Sequence, residues 1–522
     1  MFSVIYPLWV LNRNFNIKVY CMNRVYLFLI LFTMYSLTLP AQTLKFSDFD
    51  REDTRDINFD IIGRLNNKIL VYKNVRWKHK ICVYDNEMNT LKTENLDFVP
   101  EKTFNVDFVA YPDFFYMIYQ YQKRNTLHCM VVKMNDKLEQ MSEPVEVDTT
   151  RIPVMASNKI YSLVHSEDRQ QIMLFKIQTR YQKFDMVTLL FDKDFKLVNK
   201  RRHVTDFNER RENYDNFSLT NDGTFFYSHE MQSGNRDYTS MLELVSLPAS
   251  QNEPVSQKID LQEKYIDDVH LKIDNLNNRC IINTFYYKKN RGSIEGLFTC
   301  IWDKEKAGVF ASSFTEFGDS LRDEAKRSGM LRFALDNFFI RQVIVKKDGG
   351  FILTAEDYTS DTRGSNTWNR YDYLYNPAYP STGYYYYNPY MGSYRPYNSF
   401  NNQSTRYYCE NILVLSISKD GKPDWNKVIQ KSQFADDDEI FLSFSTMIFS
   451  GEIHFLFNND RKNQIVTDQS ISPGGIIKRN PTLKSQQKGY EFMPALSKQI
   501  GAGQLIIPCA YRGNLCFAKV EF

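Results

Sequence analysis

Short apolar runs along this chain are broken repeatedly by Asn, Asp, Gly or Ser, and within the runs apolar and polar positions alternate. An alternating run, a tight polar turn and a returning run are the pattern of a β-hairpin. Such turns fall at Asn66-Asn67, Pro112-Asp113, Ser157-Asn158, Asn221-Asp222-Gly223, Asn277-Asn278, Asp348-Gly349-Gly350, Ser450-Gly451 and Ala502-Gly503. Asn, Asp and Gly suit these positions because tight hairpins require positive φ, which they tolerate best. A second hairpin follows most of the first, as in CVYDNEMNTLKTENL from Cys82, LLFDKDFKLVNKRRHV from Leu189 and CIWDKEKAGVFASSF from Cys300.

Two successive hairpins make a four-stranded antiparallel unit, and this unit recurs roughly every 45–70 residues, a propeller-blade period. One unit exposes an apolar face that only a neighbour can cover, so the units must stack around an axis. The pattern predicts an all-β chain: a β-propeller of four-stranded antiparallel blades, eight in number, with seven the nearest alternative. After the eighth turn only three strands remain, at 493–500, 503–510 and 515–521. Thr43–Phe46 then supplies the outer strand and removes the free edge. Residues 459–490 have poor strand character, and LRDEAKRSGMLRF from Leu321 looks briefly helical. A break near 320–335 would instead divide two β domains.

The lines ILVLSISKDGKPDWNKVIQ from Ile412 and GGFILTAEDY from Gly349 are similar to strand–turn–Trp–strand blades. In these lines, across most of the mature chain, the sequence resembles uncharacterised exported β-propeller-like proteins of Bacteroidota type. The resemblance implies a fold and export, and it transfers no catalytic residue. The repeated Gly-His and Trp-Asp pairs of WD40 blades and the paired glycines of kelch blades do not recur.

The N-terminus reads as a targeting segment. Asn23-Arg24 precedes the apolar run Val25–Leu39, and Leu39-Pro40-Ala41 offers a cleavage point before Gln42. Met22 stands where a signal peptide begins, which makes residues 1–21 an upstream extension. Residues 42–522 are then one propeller domain, periplasmic or at the outer surface. The apolar run is shorter than the roughly 20 residues of a spanning helix. A net charge of +3 over 522 residues gives no basic face for nucleic acid.

Topology gives the ring two unlike faces. Turns within each hairpin are short. The connections on the other face are expected to be longer, at 176–184, 204–214, 317–337 and 431–442, and function collects on long loops held by a rigid scaffold. The insertion at 359–407 falls on that face and has 11 tyrosines between 371 and 400, with Pro, Asn, Gly and few aliphatics. It cannot build a core of its own. It reads either as a tolerated mobile loop or as a contact loop whose Tyr371, Tyr373, Tyr375, Tyr384, Tyr385, Tyr386, Tyr387, Tyr390 and Tyr394 offer large amphipathic area.

Inner strands begin near Asp56, Asn105, Asp107, Asp215, Asp267, Asp268, Asp336 and Asn337. Asp107, Asp215 and Asp268 would edge the central channel and could bind sugar hydroxyls or a cation, or serve as caps before strands. No metal-ligand spacing, nucleophile elbow, phosphate-binding loop or dinucleotide turn occurs, so no catalytic residue, metal site or cofactor is assigned. Cys509 and Cys516 should face each other across the last hairpin, either bridged in an oxidising compartment or as two buried thiols. The expected function is a non-catalytic binding or scaffold propeller contacting an envelope protein or glycan. The alternative is a polysaccharide-active enzyme with carboxylates at the channel mouth.

Overall fold

The computed structural model describes residues 43–50, 57–152, 160–234, 237–326, 335–362, 370–375, 405–436, 439–458, 464–485 and 487–522. Its strands form eight four-stranded antiparallel blades. The innermost strands, in chain order, are Ile57–Leu65, Thr103–Ala110, Tyr161–His165, Glu212–Leu219, Tyr265–Asp274, Phe338–Val345, Phe444–Phe449 and Lys498–Gly501. Three further strands follow each of the first seven in sequence order. In the eighth, Gln504–Tyr511 and Asn514–Glu521 are completed by Thr43–Phe46, which pairs Leu44 with Val520 and Phe46 with Ala518.

Eight apolar clusters fill the joints between successive blades. One joins the last blade to the first through Ile506, Leu515 and Phe517 against Ile57, Ile61 and Val71. Another joins the fifth and sixth blades through Phe285 and Leu297 against Phe338 and Leu353. The chain is therefore an eight-bladed β-propeller, with core between the blades rather than at one centre. Burial along each blade follows from this. Second strands are covered on both faces, as in Arg279–Tyr287, buried at every position but the first. Outermost strands face solvent, as in Thr90–Asn95 and Leu197–Asp206, where no residue is buried.

The turns obey the predicted chemistry, with one shift. Asn66 and Asn67 have φ of 43° and 66° and close a two-residue turn between the paired residues Leu65 and Lys68. In the third blade the first turn lies between His165 and Gln171, because Tyr161–His165 is the inner strand. Ser157-Asn158 precedes that strand and lies outside the described residues. The segment Leu321–Phe333 does begin in a helix, Asp319–Ala325.

The long connections are less evenly spread than the sequence implies. Residues 176–184 are not a loop: Gln171–Arg180 and Lys183–Asp192 run through them, joined by Tyr181-Gln182 with φ of 52° and 58°. The first blade uses the same device at Arg76-Trp77, between the paired residues Val75 and Lys78. The predicted connection 204–214 likewise shrinks to 207–211, between Leu197–Asp206 and Glu212–Leu219. The longest connections between blade strands lie later in the chain, at 317–337, 363–404 and 480–497. In the sixth blade, pairing continues from Glu356 to Thr362 opposite Thr405. Gln433–Asp436 adds a further strand beside Arg406–Cys409. The strands Phe351–Thr362 and Thr405–Ile417 thus enter the predicted insertion from both sides, and its centre is carried on a three-stranded projection. Among the described residues no helix is long and apolar enough to cross a membrane.

Candidate functional site

Alternation along Phe225–Gln232 sends Phe225 and Tyr227 toward the third blade and Phe226 into the joint with the fifth. Ser228, Glu230 and Gln232 share the face of Phe226, so polar side chains line that joint toward the long-loop face. Each is buried. Opposite them, the inner strand of the fifth blade bulges between Asp267 and His270, with Asp268 at φ 46°. The fourth bulges between Asp215 and Ser218, with Asn216 at φ 60°. A bulge re-aims side chains, here turning carboxylates toward the channel mouth.

The first turn of the insertion, Arg370–Tyr375, packs onto this mouth. Arg370 donates from Nε to Asp267 Oδ2 at 2.6 Å and from Nη2 to Asp267 Oδ1 at 3.2 Å. The Arg370 side chain is 6% exposed and that of Asp267 is 0%. Its Nη1 reaches the carbonyls of Phe338 and Asp336, and its guanidinium carbon lies 4.1 Å from the centre of the Phe339 ring. Tyr287 donates its hydroxyl to Asp267 at 2.7 Å. Tyr371 reaches Gln232 Oε1 at 3.4 Å, and the Tyr373 ring packs 4.7 Å from Phe339 and 5.0 Å from Tyr358.

Burial, reinforced by the nearby charge of Asp215, pushes the Glu230 carboxyl up to about 8. Burial also raises Asp215 to about 6, against the opposing pull of the Asn216 N–H and His270. Burial raises Asp267 too, and Arg370 offsets part of that. At Asp268 burial is outweighed by His270 and Arg370, and the carboxyl sits below its usual range.

The three predicted channel acids do not form one site. Asp215 and Asp268 share the mouth between the fourth and fifth blades. Asp107, buried on the second blade, takes a hydrogen bond from Asn105 and raises the carboxyl of Asp60, which burial raises most. Lys498 faces Asp60 at 4.0 Å and donates to the Ile61 carbonyl at 2.6 Å. Asp268 is largely engaged in holding neighbouring inner strands together: Oδ2 accepts from the Ile340 N–H at 2.8 Å and Oδ1 faces His270 Nε2 at 3.0 Å. Asn216 does the same toward Leu271 N–H at 3.3 Å, and Gln499 bridges to both backbone groups of Ile448. Much of this polar inner ring therefore acts as a girdle.

Of the predicted tyrosines, Tyr371 and Tyr373 pack against the blades. Tyr375 ends the helical turn, and Tyr384, Tyr385, Tyr386, Tyr387, Tyr390 and Tyr394 lie outside the described residues. Sequence reasoning missed Glu230, Arg370 and Gln232. The only signal for Glu230 was an acid at alternate spacing from Phe226 on a strand that opens with three aromatic residues. Among the described residues no three His, Cys, Asp or Glu side chains gather closely enough to hold a metal ion. A surface cleft of about 510 Å³ lies elsewhere, beside Glu316, Asp319 and Arg322. Arg322 there is committed to the carbonyls of Phe317, Ile294 and Glu295. Cys509 and Cys516 are opposed as expected, both fully buried, with their sulfurs 2.9 Å apart and unbridged.

No protein-family model matches this sequence, and no curated protein matches it. Among solved structures it is similar to the WD40 domain of SCAP from fission yeast, at 7% identity and TM-score 0.39, over 92% of this chain and 97% of that one. It is also similar to Sqt1 from Saccharomyces cerevisiae, at 8% identity and TM-score 0.40, over 91% of this chain and all of that one. Prolyl oligopeptidase B from Galerina marginata aligns at 8% identity and TM-score 0.42 over 88% of this chain, which spans 56% of that enzyme. The propeller assignment itself rests on the eight blades and the eight joints between them.

Proposed function

We propose that this chain is an exported, non-catalytic binding or scaffold propeller that contacts a protein or glycan of the cell envelope through its long-loop face. The observation that carries the reading is the anchorage of the Tyr-rich insertion. It emerges from a paired projection ending at Thr362 and Thr405, and its first turn is fixed over the channel mouth by Arg370. A contact loop tethered to a rigid scaffold loses less freedom on binding than a free one.

The test is a shortened loop. Residues 378–402 are removed while Arg370–Tyr375 stays, so that Asp267 keeps its partner. The shortened protein should melt like the parent but lose saturable capture of purified envelope fractions. Equal capture by both proteins would refute the role of the loop. Export is tested separately, by fractionation and by an N-terminus beginning at Gln42.

The polysaccharide-active alternative draws on one observation, the pairing of Glu230 and Asp215 as neighbouring acids with raised proton affinity. It requires that Glu230→Gln abolish hydrolysis of an envelope polysaccharide that the parent protein cleaves.

A further inference from the structure

Arg370 enters a pocket that the propeller builds without it. Asp267 lies on the inner strand of the fifth blade, and Tyr287, on the adjacent strand, holds its Oδ2 at 2.7 Å. Asp268 is fixed by His270 and by the Ile340 N–H. The carbonyls of Asp336 and Phe338 face the same space, and Phe339 forms one wall. A carboxylate presented edge-on, carbonyl acceptors for the remaining N–H groups and an aromatic face together meet the needs of a planar guanidinium. An ammonium would use them poorly.

The cation comes from a distant part of the chain, 103 residues from Asp267, on a six-residue turn that belongs to the insertion. Among the described residues a second fully buried ion pair is built differently. Lys431 and Glu356, 2.7 Å apart and both 0% exposed, belong to the frame of the sixth blade, and the amine also bonds the Cys409 carbonyl and Gln433.

We propose that the space between the fifth and sixth blades is a guanidinium-binding site, filled in cis by Arg370 and able to take the arginine side chain of a protein partner in its place. The proposal rests on the reading of the long-loop face as a binding surface and names the chemistry by which a protein would be recognised there.

The probe is N-acetylarginine amide, with its uncharged citrulline counterpart as control. Arg370→Ala and Arg370→Met, made in the full mature chain, should bind the arginine probe saturably at one site and rise in melting temperature. The citrulline probe should bind at least about tenfold more weakly, having lost the charge-assisted pair. Adding Asp267→Asn should abolish the binding. In the unmodified protein the probe competes with Arg370, so hydrogen exchange across 370–375 should quicken as it is added. This arm keeps the test valid if the variants fold poorly. No saturable binding to the folded variants, equal binding of both probes, or unchanged exchange in the parent would overturn the site. Capture by the protein lacking 378–402 tests the broader binding reading independently, so the two can fail separately.

Discussion

The joint between the seventh and eighth blades and the mouth between the fourth, fifth and sixth do the same mechanical task with opposite materials. At the first, Leu505, Ile507, Cys509, Cys516, Ala518 and Val520 are all fully buried, and the outer strand Thr43–Phe46 covers the edge. At the second, the contacts toward the long-loop face are Asp267, Asp268, Glu230, Gln232 and Arg370. Hydrocarbon contact is non-directional and tolerates small displacements. A buried ion pair tolerates none, because each partner left alone keeps its desolvation cost. The apolar joint can be read as pure closure. The charged mouth is maintained at a cost that closure alone would not require.

The largest expected effect separates these two kinds of joint. Asp267→Asn removes the hydrogen-bonded counter-charge of the buried Arg370 guanidinium, leaving only Asp268 at 3.9 Å, and should destabilise the fold by about 3 kcal/mol in urea unfolding. Replacing both partners, as Asp267→Leu with Arg370→Met, should cost less than either single change. A double variant weaker than both singles would mean that the mouth behaves as ordinary packing.

The charged mouth should also make stability depend on pH. Glu230 binds its proton more tightly folded than unfolded, with its value raised from 4.5 to about 8. Between those values the folded state holds more protons, so stability falls as pH rises from about 4.5 to about 8 and levels off beyond. Asp215, raised from 3.8 to about 6, adds a loss in the lower part of that window. Together they set an upper bound of about 8 kcal/mol, each unit being worth about 1.4 kcal/mol. Glu230→Gln should flatten the profile and make the protein more stable than the parent above pH 8. An unchanged slope in unfolding at pH 5, 7 and 9 would place the proton elsewhere.

The apolar joint offers the matching control. Leu505→Ala removes a fully buried side chain opposite Val520 and should cost about 2–3 kcal/mol, independent of pH. Adding Val520→Ala should make the loss larger, the reverse of the charged pair.

The two regions also differ in how far the sequence reveals them. The apolar joint was legible because strand alternation, Asn and Gly turns and the three-strand remainder at the C-terminus are local signals. Together they lead to Thr43–Phe46 and to Cys509 opposite Cys516. The mouth was only half legible. Asp215 and Asp268 stand out because acids recur near the starts of inner strands, but Asp107 carries the same signal and belongs to another arc of the ring. Arg370 sits in a Tyr-rich stretch that reads as unstructured, and its partner is more than a hundred residues away. No local pattern encodes such a pairing. The tight turn at Tyr181-Gln182 was missed for the opposite reason: its positive φ is held by strand pairing on both sides, without the Gly or Asn that usually marks such a turn.

The smallest expected effect asks how much of the mouth is charge and how much is aromatic contact. Tyr371 lies beside Arg370, half-buried, with its hydroxyl 3.4 Å from Gln232 and its ring centre 6.4 Å from that of Tyr238. A hydrogen bond of that length, to a neutral amide and partly open to water, contributes little. Tyr371→Phe should therefore cost no more than about 0.5–1 kcal/mol and leave hydrogen exchange across 370–375 slow. If Arg370 alone fixes the turn, Arg370→Ala should quicken that exchange strongly while Tyr371→Phe does not. Equal acceleration in both variants would show the turn to be held by its side chains collectively. The contrast between a charged mouth and an apolar closure would then narrow to the single pair Arg370 and Asp267.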